Sequence, residues 1–204
     1  MESNIMERLK AETGPYHRQV ESNRYARAIT DQTLTLNEYR LYLQKFYGFV
    51  YPMEGRLPST IEWKGSTLRA TDRTKSGLLV LDLLQLGLTQ EDIGQLPLCT
   101  ALPDVSTPAA QYGFLYVMEG STLGGQMITA MLKQRLALEP EAGLHYFNGY
   151  GKDTRVRWSE FRETLLSAAL SEEDRQAVVD AAQDTFVKLG RWLDEPQKLE
   201  AEHA

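Results

Sequence analysis

The amino-acid sequence predicts an all-α protein folded as a single domain, and three observations carry that expectation. Apolar residues recur at intervals of three and four along nearly the whole chain, no stretch shows convincing period-two alternation, and helix-start signals stand ahead of the periodic runs. The 204 residues, 42% of them hydrophobic, are enough for one sizeable core and too few for two. Ile5, Leu9, Tyr16 and Val20 mark one face of a first helix, with Pro15 expected to kink or restart it. Thr35 with Glu38 forms a capping-box pattern before Leu36, Tyr39, Leu43, Phe46, Tyr47 and Val50, and Pro52 is expected to bend or end that helix. A third helix is expected over 73–86 and a short one from Thr89, followed by a proline-punctuated connection over 95–108. Thr107 and then Pro108 read as an N-cap with proline at the first helical position, opening a helix that runs to about residue 137. Residues 145–154 read as a loop from their Gly and Asn content. Asp153 or Thr154 then caps a helix bearing Trp158, Phe161 and Leu165. Ser171 with Asp174 caps a last one bearing Val178, Ala181, Phe186, Leu189 and Leu193, which Pro196 stops. The domain is expected over 1–195, with 196–204 a frayed tail.

Composition narrows the function. A net charge of -6 argues against a nucleic-acid protein, because duplex affinity comes largely from Lys and Arg on phosphates. Cys99 stands alone, which excludes an internal disulfide and a Cys-based zinc site and fits a reducing compartment. The opening residues MESNIMERLKAE lack the unbroken apolar core of a signal peptide. The most apolar run, 77–88, is far short of the roughly 20 residues a membrane span needs and contains Asp82, so it reads as a buried helix. A cytoplasmic protein without membrane partners is expected.

Two short stretches carry chemistry. GFLYVMEGSTLGGQMI, residues 113–128, has helical apolar spacing yet holds Gly113, Gly120, Gly124 and Gly125. Together these weaken a helix by roughly 3–4 kcal/mol relative to alanine, a large share of a domain's net stability. One small-xxx-small pair would read as close helix packing. Four glycines point to something that approaches or bends the backbone, and a flat ligand would supply the missing contacts. In TGPYHRQVE, residues 13–21, His17 sits within a helix beside the apolar stripe of Tyr16 and Val20, while His145 opens a loop and His203 lies in the tail. Glu21, one turn on, can orient one ring nitrogen and leave the other for a metal. One histidine without companions cannot make a zinc site. It can be the proximal ligand of a heme iron, where the porphyrin supplies four bonds.

LKAETGPYHRQVE, then LYVMEGSTLGGQMI about a hundred residues later, then FNGYG, resemble a bacterial heme oxygenase of the biliverdin-producing type often found beside bacteriophytochromes. The similarity runs from Leu9 to about Leu193, and EGSTLGGQ is its more specific part. The resemblance implies a multi-helix bundle with heme b, both cofactor and substrate, between a proximal helix carrying His17 and a kinked distal helix. Gly120, Gly124 and Gly125 would bring the distal backbone against the heme face and leave room for O2. It implies O2- and electron-dependent opening of heme to biliverdin, with CO and ferrous iron released. A ferredoxin or a reductase would be the electron donor and a bacteriophytochrome a candidate acceptor. Many relatives carry an aspartate where this chain has Ser121, which becomes the candidate for proton delivery with ordered water. Glu119 points about 100° away from Gly120 on a helix and is left out. By the same alignment Lys10 and Arg162 fall at propionate-binding positions, Gly14 replaces a second basic residue, and Arg157 is a weaker candidate. Tyr116 and Phe186 are expected to line the pocket. A heme carrier or sensor on the same scaffold remains an alternative. A thiaminase-like or diiron relative would need a nucleophilic Cys or a cluster of His and carboxylates, which this chain lacks.

Overall fold

The computed structural model describes residues 4–196; the expected tail beyond Pro196, with His203, lies outside the described residues. Among the described residues the chain forms nine α-helices: α1 Ile5–Glu21, α2 Arg24–Thr30, α3 Leu36–Glu54, α4 Ser76–Gln85, α5 Gln90–Gly94, α6 Pro108–Leu136, α7 His145–Asn148, α8 Thr154–Ser167 and α9 Glu172–Asp194. The expected capping boxes at Thr35/Glu38 and Ser171/Asp174 form, and so does a reciprocal cap at Thr89/Asp92. Thr107 caps α6 with Pro108 in its first turn, and the helix runs uninterrupted to a left-handed Ala137.

Both prolines expected to break helices lie within them. Pro15 sits on the exposed side of α1, where water can reach the carbonyl of Ala11 that it leaves unpaired. Pro52 likewise frees the carbonyl of Gly48, and the backbone N–H of Cys99 donates to it at 2.8 Å. The proline-punctuated connection is thereby docked on α3. The third helix begins at Ser76 rather than 73, after a 3-10 turn over Ala70–Arg73. The segment read as loop contains α7, and Asp153 precedes α8 without a side-chain capping bond.

The helical expectation missed a two-stranded antiparallel hairpin, β1 Thr60–Trp63 and β2 Ser66–Arg69. Lys64 and Gly65 make its tip with φ of 51° and 85°, the doubly left-handed two-residue turn that suits strand twist. Buried Ile61 and Leu68 pair across it on the inner face. Two four-residue strands are too short to interrupt a helical reading of the surrounding sequence.

α6 is the central element: it packs along α9 and against α7 and α8, and α9 packs in turn along α1. Asp82, the polar residue in the apolar run, is fully buried and accepts hydrogen bonds from the backbone N–H groups of His145 and Tyr146 at 2.8 Å, starting α7. Its carboxylate also lies 2.8 Å from His145 Nδ1. Burial raises the Asp82 pKa and these bonds oppose the rise. Among the described residues no helix is long and apolar enough to cross a membrane.

Candidate active site

α1 exists where it does because Asn4 and Glu7 close a capping box ahead of Ile5, Met6 and Leu9, which are buried. Burying that stripe turns Lys10 and His17, seven residues apart, to one solvent-accessible side. His17 is half-exposed, its Nδ1 is 3.1 Å from a Glu21 carboxylate oxygen, and its ring meets Phe186 of α9 edge-on at 5.7 Å. With Nδ1 turned to that carboxylate, Nε2 is the nitrogen left to ligate. Beside Phe186, a cavity of about 180 Å³ opens between Tyr16 and Gln19 on α1 and Val187, Gly190 and Arg191 on α9.

α1 and α6 do not pack along one another. They approach where the Tyr116 hydroxyl reaches the Thr13 side chain, and burial raises the Tyr116 pKa despite that contact. Gly120 stands one turn beyond Tyr116 on α6.

The four glycines of α6 divide into two kinds. A Cβ on Gly113 would lie 2.6 Å from the Val178 carbonyl oxygen of α9, and one on Gly125 would collide with the Phe147 carbonyl oxygen of α7. These two are buried packing glycines. For Gly125 the close Phe147 carbonyl by itself accounts for the missing side chain. A Cβ on Gly120 would make only ordinary contact with Trp158, at 3.7 Å, and one on Gly124 would meet nothing within 4 Å. Leu123 and Met127 are 41% and 62% exposed. Gly120, Leu123, Gly124 and Met127 thus form an i, i+3, i+4, i+7 stripe that the described residues leave largely open. Exposed apolar side chains around bare backbone are the mark of a surface made for a ligand or partner.

The remaining candidates are placed as follows. Ser121 is exposed and its hydroxyl donates to the Met118 carbonyl at 2.8 Å, a bond within its own helix. Lys10 and Arg162 are exposed and have no carboxylate partner among the described residues. Arg157 is committed elsewhere: it donates to the Asp72 carbonyl, pairs with Glu160 at 3.2 Å and lies over the Tyr150 ring. Two features escaped sequence reasoning. The Arg18 guanidinium reaches back to within 3.5 Å of where a Gly14 side chain would begin, so a cation occupies the space of the missing basic residue. Glu119, set aside as pointing away, is fully buried and takes bonds from Arg73, Lys75 and Tyr150. A carboxylate inside an apolar helical run was the signal available for it.

An imidazole with a free nitrogen, side-chain-free backbone one turn beyond the point where α1 and α6 approach, and unpaired cations on α1 and α8 fit a flat, anionic, metal-bearing ligand. Among the described residues no group of three or more His, Cys, Asp or Glu is gathered to hold a metal by itself.

Comparison with known proteins agrees with that chemistry. The heme oxygenase family model matches residues 85–195, just over half of the chain. The heme oxygenase of Xanthomonas campestris pv. campestris (strain 8004) is 38% identical over 84 residues, covering 41% of this chain and 50% of that protein. The match therefore spans half the length of this curated relative. In fold, the chain resembles the heme oxygenase of Leptospira interrogans, with a TM-score of 0.72 at 17% identity over 95% of this chain and 100% of that one. It also resembles heme oxygenase-1 of Synechocystis sp. PCC6803 in complex with heme, with a TM-score of 0.72 at 14% identity over 94% and 91% of the two chains. The family model covers α6, α8 and α9, the elements that build the open glycine stripe and its walls, and with it this chain belongs to the heme oxygenase family.

Proposed function

We propose that the chain binds heme between α1 and α6, with His17 Nε2 as the iron ligand, and opens it oxidatively to biliverdin with release of CO and ferrous iron. The observation that carries this reading is the open stripe at Gly120 and Gly124 on α6, and beside it stands the half-exposed His17 on α1, whose Nδ1 faces Glu21. Heme, when bound, is both the redox-active centre and the substrate, with O2 as oxidant and electrons from a ferredoxin or a reductase. Glu21 orients the imidazole. Gly120 and Gly124 keep side chains away from the space where O2 must fit. Ser121 must turn from the Met118 carbonyl to hold a proton-delivering water. Lys10, Arg18 and Arg162 meet the propionates, and Tyr116 and Phe186 wall the pocket. Catalysis in the cytoplasm, with a bacteriophytochrome accepting biliverdin, completes the proposal.

The test is to add hemin, then ascorbate or a ferredoxin system in air, and follow the visible spectrum. A Soret band of His-ligated heme giving way to biliverdin supports the reading. Stable heme binding without turnover would make the chain a carrier or sensor, and no Soret change at all would remove heme altogether.

A further inference from the structure

We propose that Glu119 is a positioning residue: its buried carboxylate, held by Arg73, Lys75 and Tyr150, sets the rotation of α6 and the placement of Trp158. It thereby fixes the width of the open face at Gly120 and Gly124. This rests on the heme reading of that face.

Glu119 directly precedes Gly120, and successive helical residues point about 100° apart, so its side chain leaves the helix on a different side. It is 0% exposed there. The Arg73 guanidinium donates to one carboxylate oxygen, while Lys75 Nζ and the Tyr150 hydroxyl donate to the other, the latter at 2.9 Å. The cations are themselves fixed. Lys75 Nζ also donates to the Arg73 carbonyl at 3.0 Å, and Arg73 also donates to the Arg157 carbonyl at 3.2 Å. Arg157 returns a bond to the Asp72 carbonyl at 3.0 Å. The connection from the hairpin to α4, the turn at Tyr150, α8 and α6 therefore converge on one carboxylate.

Fold stability is a weak explanation for such a cluster. Desolvating two cations and an anion costs so much that apolar residues of similar size often hold a fold equally well. Directional charged bonds do specify geometry. The geometry at stake is visible next door: Trp158, adjacent to Arg157 on α8, is the side chain nearest to a Gly120 Cβ, at 3.7 Å, and its ring stands 5.8 Å from Tyr116. Turning α6 would drive Gly120 onto or away from Trp158 and carry the whole stripe, Leu123 and Met127 included, around the helix axis. Glycines weaken the helix over this same stretch, so its orientation depends on an external hold.

The full chain is compared with Glu119→Gln and with the triple variant Arg73→Met, Lys75→Met, Glu119→Leu, which removes all three charges together and so leaves no unpaired buried ion. Thermal unfolding reports the structural contribution. Amide exchange of residues 120–124 in the heme-free chain, ferric heme affinity, and the pH at which the ferric Soret band shifts report positioning. The triple variant is expected to fold, to exchange faster in 120–124 with α9 unchanged, to bind heme about five- to thirtyfold more weakly, and to move the Soret pH midpoint. Glu119→Gln is expected to show the same effects at about two- to fivefold, and it decides the matter if the triple variant does not fold. Parental exchange, affinity and midpoint in a folded variant would overturn the proposal, whatever the melting temperature does. A parent chain with no Soret change overturns the heme reading instead, and exchange in the heme-free chain still decides whether Glu119 holds the segment.

Discussion

His145 lies on α7, which packs against α4 and α6 rather than along α1, and Asp82 fixes it there. His17→Ala is therefore expected to abolish the His-ligated heme spectrum, with exogenous imidazole restoring it; an unchanged Soret band would remove His17 as ligand. Glu21→Ala should weaken heme binding less severely, by about 10- to 100-fold if the carboxylate orients the ring, as a Soret titration will show. The glycines make a sharper pair. Gly124→Ala places its methyl in open space and adds about 1 kcal/mol of helix propensity, so the chain should melt no lower while biliverdin yield falls. Gly125→Ala drives its methyl into the Phe147 carbonyl and should destabilise the fold by about 1–3 kcal/mol. Calorimetry and turnover on the two variants separate packing from ligand space. Loss of stability in Gly124→Ala with normal turnover would sink its place over the ligand.

Single helices carry their own pH dependence. The Thr35 backbone and hydroxyl donate to Glu38, and these bonds hold the Glu38 carboxyl below its ordinary value. Between the folded and unfolded values the unfolded chain binds more protons, so stability falls as pH drops through that window. Asp92 and Asp174, lowered by the equivalent bonds from Thr89 and Ser171, act in the same direction. Thr35→Ala should cost about 1 kcal/mol at neutral pH and flatten the loss of stability in acid, read as unfolding midpoints in denaturant from pH 6 to pH 3. A midpoint with the parental acid dependence would mean that Glu38 keeps its lowered value without the cap.

Across the molecule, α3 and α9 are tied by a reciprocal pair. Lys45 Nζ donates to the Trp192 carbonyl at 2.9 Å and lies 4.2 Å from the Trp192 ring centre, while Trp192 Nε1 donates to the Lys45 carbonyl at 2.7 Å. Lys45 is buried, and that burial lowers its pKa. Its charge also sits at the negative end of α9. Lys45→Ala should cost about 1.5–3 kcal/mol, the range for a hydrogen bond to a charged group. Denaturant unfolding followed by tryptophan fluorescence will report both the loss and any change around Trp192. No loss would show that the Trp192 ring packs against α3 equally well without the ammonium.

Local pattern settled the elements whose signals are local. Thr107–Pro108, Thr35/Glu38 and Ser171/Asp174 start α6, α3 and α9 because a cap needs only the residues within one turn of it. The four glycines of the sixth helix could likewise be named from the sequence as a place where something approaches or bends the backbone. What spacing could not supply was the identity of a neighbour. Gly124 and Gly125 are adjacent, and only the position of Phe147 makes one a packing glycine and leaves the other facing open space. Pro52 reads as a helix breaker until Cys99, distant in the chain, satisfies the carbonyl it frees. Arg18 over Gly14 and the carboxylate of Glu119 between Arg73 and Lys75 depend on side chains folding across space. Helix starts and faces are properties of a few consecutive residues, whereas burial, ion pairing and room for a ligand depend on which distant surfaces the tertiary structure brings together.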